Sequence, residues 1–101
     1  MSTDIEILAR KLDVAEALLR SFDQTYWADW LRKDAQRIRG LDFYGIEHLL
    51  SAYGGMGSLT DVVLQTNDHR GLLVPQAENE RWYILRTEIY SIALKLKSEE
   101  Y

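Results

Sequence analysis

Ala52-Tyr53-Gly54-Gly55-Met56-Gly57-Ser58-Leu59-Thr60-Asp61 is the stretch on which the fold turns. Three of the chain's six glycines fall within four positions of it. Each glycine costs helix or strand stability, so the segment needs positive φ or a close backbone approach. It therefore breaks an otherwise helical chain with a special loop. A structural turn at Gly54, Gly55, Gly57 and Ser58 that lets two segments pack closely is the favoured reading. For Met56 a core-filling role is favoured, with an exposed, adaptable contact as the alternative.

Upstream of the loop the apolar periodicity predicts three helices. Ile5, Leu8, Leu12, Ala15 and Leu19 recur at helical spacing between about Thr3 and Arg20, with Val14 and Leu18 widening the stripe. Thr3-x-x-Glu6 has the form of a capping box. A second helix is expected from Thr25 to Arg39, stopped by Gly40 in the left-handed position that ends many helices. Asp34 intrudes on its apolar stripe of Trp27, Leu31 and Ile38. A buried carboxylate without partners is costly, so Asp34 should bond to backbone or to Arg, Tyr or Trp. A third helix is expected from Asp42, as cap, to Tyr53, with Gly54 as its stop.

Downstream, Ser58-x-x-Asp61 suggests one helical turn. Val62-Val63-Leu64 and Leu72-Leu73-Val74 flank the turn-rich Thr66-Asn67-Asp68-His69-Arg70-Gly71, the pattern of a small hairpin. The last helix runs from about Gln76 to Ser98, with Trp82, Leu85, Ile89, Ile92, Ala93 and Leu96 as its stripe. Trp27 and Trp82 are assigned to the core, whereas Trp30, Tyr44, Tyr53 and Tyr83 fit core or contact surface equally. The reading is a mainly α, compact four-helix bundle forming one domain over 1–101. It carries a glycine-rich loop and a short β-hairpin before the last helix.

Composition narrows the functional classes. A chain of 101 residues and 11.8 kDa buries roughly 65% of its unfolded surface, enough for one core. It has no cysteine, which excludes disulfides and zinc–thiolate sites. The acidic start, Met1 to Glu6, lacks the form of a secretory signal, and the apolar runs are too short for a membrane span. A cytoplasmic location is the expectation. Net charge is −4, which disfavours nucleic acid unless cations segregate. Arg32, Lys33, Arg37 and Arg39 are interrupted by Asp29 and Asp34, so they read as a solvated mixed-charge face.

Chemistry-bearing motifs are sparse. The loop lacks the Walker lysine and the dinucleotide fingerprint, and Asp61 puts negative charge where an anion would sit. His48 has Ser51 and Ala52 at the positions where a helical metal ligand would stand, and His69 lies in a polar turn. Neither is assigned catalysis. No Glu-x-x-His pair or nucleophile elbow occurs. The expectation is no enzyme activity, no cofactor and no metal.

Three patterns resemble a family of small bacterial helical proteins of unknown function. They are Trp27-x-x-Trp30-Leu31-x-x-Asp34, Asp42-x-x-Gly45-Ile46-x-x-Leu49-Leu50, and the Tyr53-Gly54-Gly55-Met56-Gly57-Ser58-Leu59-x-Asp61 signature, followed later by Asn79. The resemblance spans roughly the last three quarters of the chain. Thr60 stands where members often have Asn. It implies a bacterial source and a small helical domain, and it transfers no catalytic residue.

Size, acidity and sparse motifs suit an immunity-type protein that occludes the active site of a cytosol-acting toxin. Expected partner contacts are Asp29, Asp34, Glu47, Met56, Asp61, Asp68 and Tyr83, with acidic groups mimicking substrate phosphates and an apolar anchor filling the cleft. The partner is a protein toxin domain, with neither nucleic acid nor membrane expected. The alternative is a housekeeping interaction module, homodimeric through Tyr83, Ile84 and Tyr90. A small enzyme using the loop with His48 would require a polar pocket joining His48, Asp61 and Ser58.

Overall fold

The computed structural model describes residues 3–68 and 71–100, and side chains over 4–66 and 71–99. The chain is a small, mainly helical bundle. Its elements are α1 (Thr3–Ser21), α2 (Thr25–Arg39), α3 (Tyr44–Leu50), a 3-10 turn (Leu59–Asp61), β1 (Thr66–Asp68), β2 (Gly71–Leu73) and α4 (Gln76–Glu100). The expected capping box of Thr3 and the readings of Asp68 and His69 fall outside the described residues and side chains.

Ion pairs report how the helices run. Arg20 meets Asp29 at 2.8 Å and Arg39 meets Asp13, so α2 folds back antiparallel to α1. Lys11 meets Glu88 at 3.0 Å and Lys95 meets Asp4 at 2.9 Å, so α4 also runs antiparallel to α1. Exposed pairs of this kind contribute only about 0–1 kcal/mol each, so they mark geometry more than they hold it. The core does the holding. Leu8, Leu12 and Leu19 of α1, Leu31 and Ile38 of α2, Ile46 and Leu49 of α3, and Trp82 and Ile89 of α4 are all buried. Val14, expected in the stripe, is exposed, and Trp27 is only half-buried against the core. The radius of gyration is 14.1 Å, above the roughly 12.7 Å of a compact domain of this length, and the extents of 50 × 23 × 21 Å show an elongated bundle.

The helix ends correct one expectation. Gly40 has φ −82° and is not left-handed; Leu41, one residue later, is, with φ 60°. The Asp42 N–H donates to Arg37 C=O at 2.8 Å and the Leu41 N–H to Ile38 C=O at 3.0 Å, which closes a Schellman motif around leucine. The α1 terminus repeats it. Asp23 takes φ 61°, the Gln24 N–H donates to Leu19 C=O at 2.9 Å, and the Asp23 N–H to Arg20 C=O at 3.1 Å. These reversals set α2 against α1 and α3 against α2.

Helix α3 is shorter than the expected Asp42–Tyr53. Asp42 accepts the Tyr44 N–H at 3.1 Å, while the residue flanking the helix is Phe43. At the other end Ser51 Oγ donates to His48 C=O at 2.6 Å, and the chain tightens through Ala52 and Tyr53 bonds to Leu49 and Leu50 carbonyls. The loop then leaves and returns, and its ends are pinned by the Leu59 N–H on Ala52 C=O at 2.9 Å. Gly54, Gly55 and Gly57 have φ of 92°, 82° and 76°. A Cβ at any of them would meet open space. Positive φ, rather than close packing of two segments, is therefore what requires them. Met56 at the tip is fully exposed, which overturns its expected core role.

The hairpin exists but is displaced. Thr66 pairs with Leu73, Asn67 with Leu72 and Asp68 with Gly71, antiparallel. Val62–Leu64 are not strand. Asn79 of α4 takes the place of a strand partner there: its Oδ1 accepts the Leu64 N–H at 2.8 Å, and its Nδ2 donates to Leu64 C=O at 2.9 Å and Pro75 C=O at 2.8 Å. Trp82 Nε1 donates to Val62 C=O at 3.2 Å. The segment is thus fixed to α4 by side chains, and β2 remains exposed along its length.

Candidate functional site

The most unusual polar cluster lies between α2 and α3. On α2, Tyr26, Trp30, Lys33 and Arg37 follow one another at helical spacing, and Asp34 sits one turn beyond Trp30. Asp34 is fully buried. Gly45 brings α3 down on it: a Cβ there would lie 2.8 Å from Arg37 Cβ, 3.2 Å from Ile38 Cγ1 and 3.3 Å from Asp34 C=O. Only glycine admits that approach. One turn after Gly45, His48 reaches Asp34, with Nδ1 at 2.6 Å from Oδ1.

The His48 ring is clamped from a second side. It stacks on Trp30 with centroids 4.0 Å apart and planes 14° from parallel, and Tyr44 leans on it at 5.9 Å. Trp30 in turn packs against Trp27 and Tyr26. The carboxylate behind the ring is poorly provided for. Arg37 Nη1 stands 3.6 Å from Asp34 Oδ1, too far for a hydrogen bond. Among the described residues, Asp34 Oδ2, Arg37 Nη1 and Trp30 Nε1 are buried without a hydrogen-bond partner. Burial pushes the Asp34 carboxyl up to about 6, against the opposing pull of the His48 hydrogen bond and the nearby His48 and Arg37 charges. With Asp34 ionised, the imidazole carries its hydrogen on Nδ1 and presents the Nε2 lone pair. His48 lines an open cavity of about 370 Å³ with Tyr26, Asp29, Trp30, Lys33 and Arg37.

A second region is apolar. Leu72, Leu73, Val74, Tyr83 and Ile84 are all half or more exposed. A cleft of about 560 Å³ runs between Val74 and α4, lined also by Asn79, Tyr83 and Ile84. Tyr83 borders a second cleft of about 370 Å³ with Tyr53, Gly54, Arg86 and Tyr90. There the Arg86 guanidinium lies 5.0 Å over the Tyr83 ring, and the Tyr53 hydroxyl donates to Arg86 C=O at 2.7 Å.

The expected contact residues are scattered over these features. Tyr83 and Met56 are exposed, as is Glu47. Asp29 is exposed but held by Arg20. Asp34 is sealed in the interior and cannot touch a partner, which corrects its expected role. Asp61 accepts the Gly57 N–H at 2.7 Å, so the loop's own carboxylate takes a backbone amide that an anion would need. Ser58 is buried with its hydroxyl 2.7 Å from Thr60 Oγ1. The pocket that would have joined His48 with Asp61 and Ser58 is not what forms; His48 joins Asp34 and Trp30 instead. Among the described residues no group of three His, Asp or Glu could hold a metal ion.

Residues 20–71 match the family model described as "Domain of unknown function (DUF6966)". The chain belongs to this family. The DUF6966 segment holds α2, α3, the glycine loop and β1, so the Trp30–Asp34–His48 cluster lies wholly within it. Most of α1 and all of α4 lie outside. Comparison with curated proteins and with solved structures gave no match. No described helix is long and apolar enough to cross a membrane.

Proposed function

We propose that this DUF6966 protein is a non-enzymatic binding protein of the immunity type, acting in the cytoplasm by covering the active site of a cognate bacterial toxin. The observation that carries the binding reading is the run of exposed apolar side chains from Leu72 through Val74 to Tyr83 and Ile84, alongside an apolar cleft. Contiguous exposed apolar groups rimmed by polar ones mark sites of protein association. Tyrosine at the centre of such a face is a typical hot-spot residue. The immunity reading rests further on small size and net negative charge. Asp29, Glu47, Asp61, Met56 and Tyr83 remain as candidate contacts, as does Asp68, whose side chain lies outside those described; Asp34, fully buried, is withdrawn.

Pull-down of the tagged full chain from its native lysate identifies the candidate toxin, and co-expression with that toxin tests protection. Tyr83→Glu with Ile84→Glu should abolish protection while leaving the unfolding midpoint unchanged. Full protection by that variant would refute the contact face. Light scattering supplies the other arm: a homodimer that dissociates in the same variant, with no toxin recovered, would favour the self-associating module.

A further inference from the structure

We propose that the cavity between α2 and α3 is a binding site for a phosphate monoester, with Lys33, Arg37 and His48 as its three polar partners. The proposal goes beyond the partner-binding reading, and the two rest on different residues: the cavity and the apolar clefts share no lining side chain.

The cations are what make the cavity unusual in an acidic protein. Arg37 Nη1 makes no hydrogen bond among the described residues and stands 3.6 Å from Asp34 Oδ1, so that nitrogen faces the buried carboxylate while the side chain also lines the cavity. The Arg37 side chain is about one-third exposed, and an anion in the cavity would accept from the guanidinium N–H groups that do not face Asp34. Arg37 is held in place by Tyr44, whose ring lies 5.2 Å beneath the guanidinium carbon. Lys33, four residues before Arg37, lines the same cavity and makes no ion pair among the described residues. The carboxylate at the rim, Asp29, is occupied by Arg20 at 2.8 Å. His48 completes the set. Asp34 fixes its ring through Nδ1, while Nε2 is left for a ligand.

The arrangement favours phosphate over carboxylate on geometric grounds. A carboxylate is planar and is satisfied by one guanidinium in a two-bond fork. Three polar groups from two helices, two of them cationic, suit a tetrahedral anion with three free oxygens. The cavity is several times larger than the anion itself, so an ester group has room beside Tyr26.

Titration of the full chain, followed by the His48 ring and Trp30 indole NMR signals, tests this with inorganic phosphate, phenyl phosphate and benzoate. Saturable shifts at both rings with phenyl phosphate are expected. Lys33→Gln and Arg37→Gln should each weaken binding about tenfold or more. Lys33 is exposed, so its variant keeps the test valid if the Arg37 variant fails to fold. Phenyl phosphate binding more tightly than inorganic phosphate identifies an ester site; equal binding identifies a site for the free anion. Benzoate binding as tightly as phenyl phosphate, or shifts that never saturate, would overturn the proposal. Neither outcome bears on the Tyr83 face.

Discussion

Asp34→Asn tests whether the buried carboxylate strains the fold. The wild-type carboxyl is raised from 3.8 to about 6 by burial. The folded state therefore holds that proton more tightly than the unfolded chain does. A group raised in this way stabilises the fold fully below the unfolded value, and that stability is lost as pH rises through the folded value. The window here runs from about 4 to about 6. At 1.36 kcal/mol per pKa unit, the full swing is about 3 kcal/mol, of which about 2 kcal/mol falls between pH 4 and pH 7. Asparagine keeps the shape and the Oδ1 acceptor for His48 but cannot ionise. Urea unfolding of both proteins from pH 4 to pH 7.5 cancels the other carboxylates, which titrate alike in the two, and reads the Asp34–His48 pair as a unit. The stability of wild type relative to the variant should fall by about 2 kcal/mol as pH rises across that window. A difference that stays flat, or that moves in favour of wild type with rising pH, would refute the claim that desolvation outweighs the His48 and Arg37 attractions.

Substitutions at three other positions probe the scaffold. Gly45→Ala places a Cβ 2.8 Å from Arg37 Cβ, so α3 must move away from α2 at a cost of about 1–3 kcal/mol; an unfolding midpoint equal to wild type would show that the approach is not tight. Asn79→Ala removes three hydrogen bonds to Leu64 and Pro75 backbone groups, and denaturation should register a loss of about 2–4 kcal/mol. Asn79→Asp keeps only the acceptor, so recovery of full stability by it would contradict the donor role. Leu41→Gly relieves a left-handed leucine that is 65% exposed; thermal unfolding should show a gain of about 0.5–1 kcal/mol, and a loss would mean that Leu41 packs more than its exposure suggests.

Much of the fold was legible because it depends on local periodicity. The α1, α2 and α4 stripes each recur within a few residues, so most of the buried faces and the core position of Trp82 follow from spacing. The features that were missed depend on tertiary approach. Asp34 was conspicuous as a carboxylate on an apolar face, yet its partner lies 14 residues away, brought close by Gly45 rather than by any motif. His48 was read as isolated because its helical neighbours are Ser51 and Ala52, and helical spacing says nothing about a residue on another helix. Gly40 illustrates a different failure: the residue best suited to the left-handed position sits one step before it. The register is set by where Ile38 must be buried, not by where glycine would be cheapest. Val62–Leu64 looked like a strand for the same reason. Their apolar character was real, but an amide side chain from α4 supplied the hydrogen bonds that a strand would have made.

The family segment and the folding unit are therefore different things, and the difference can be measured. Residues 20–71 contain the whole Trp30–Asp34–His48 cluster, which invites the expectation that they form the domain. The hydrogen bonds argue otherwise. Leu64 is fully buried, and both of its backbone groups are satisfied by Asn79, beyond the segment. The Val62 carbonyl depends on Trp82, and the Tyr53 hydroxyl on the Arg86 carbonyl. The α2 stripe of Leu31, Ala35 and Ile38 lies in one core with Leu8, Leu12 and Leu19, of which only Leu19 borders the segment and none lies in it. A 52-residue piece without those partners falls below the roughly 60-residue size at which single cores become marginal. A peptide of residues 20–71 should show little helical circular dichroism and no cooperative thermal transition, whereas the full chain shows both. A cooperative transition in the fragment, with Trp30 fluorescence as in the full chain, would mean that the α2–α3 pairing over Gly45 is a self-sufficient nucleus and that α1 and α4 only decorate it.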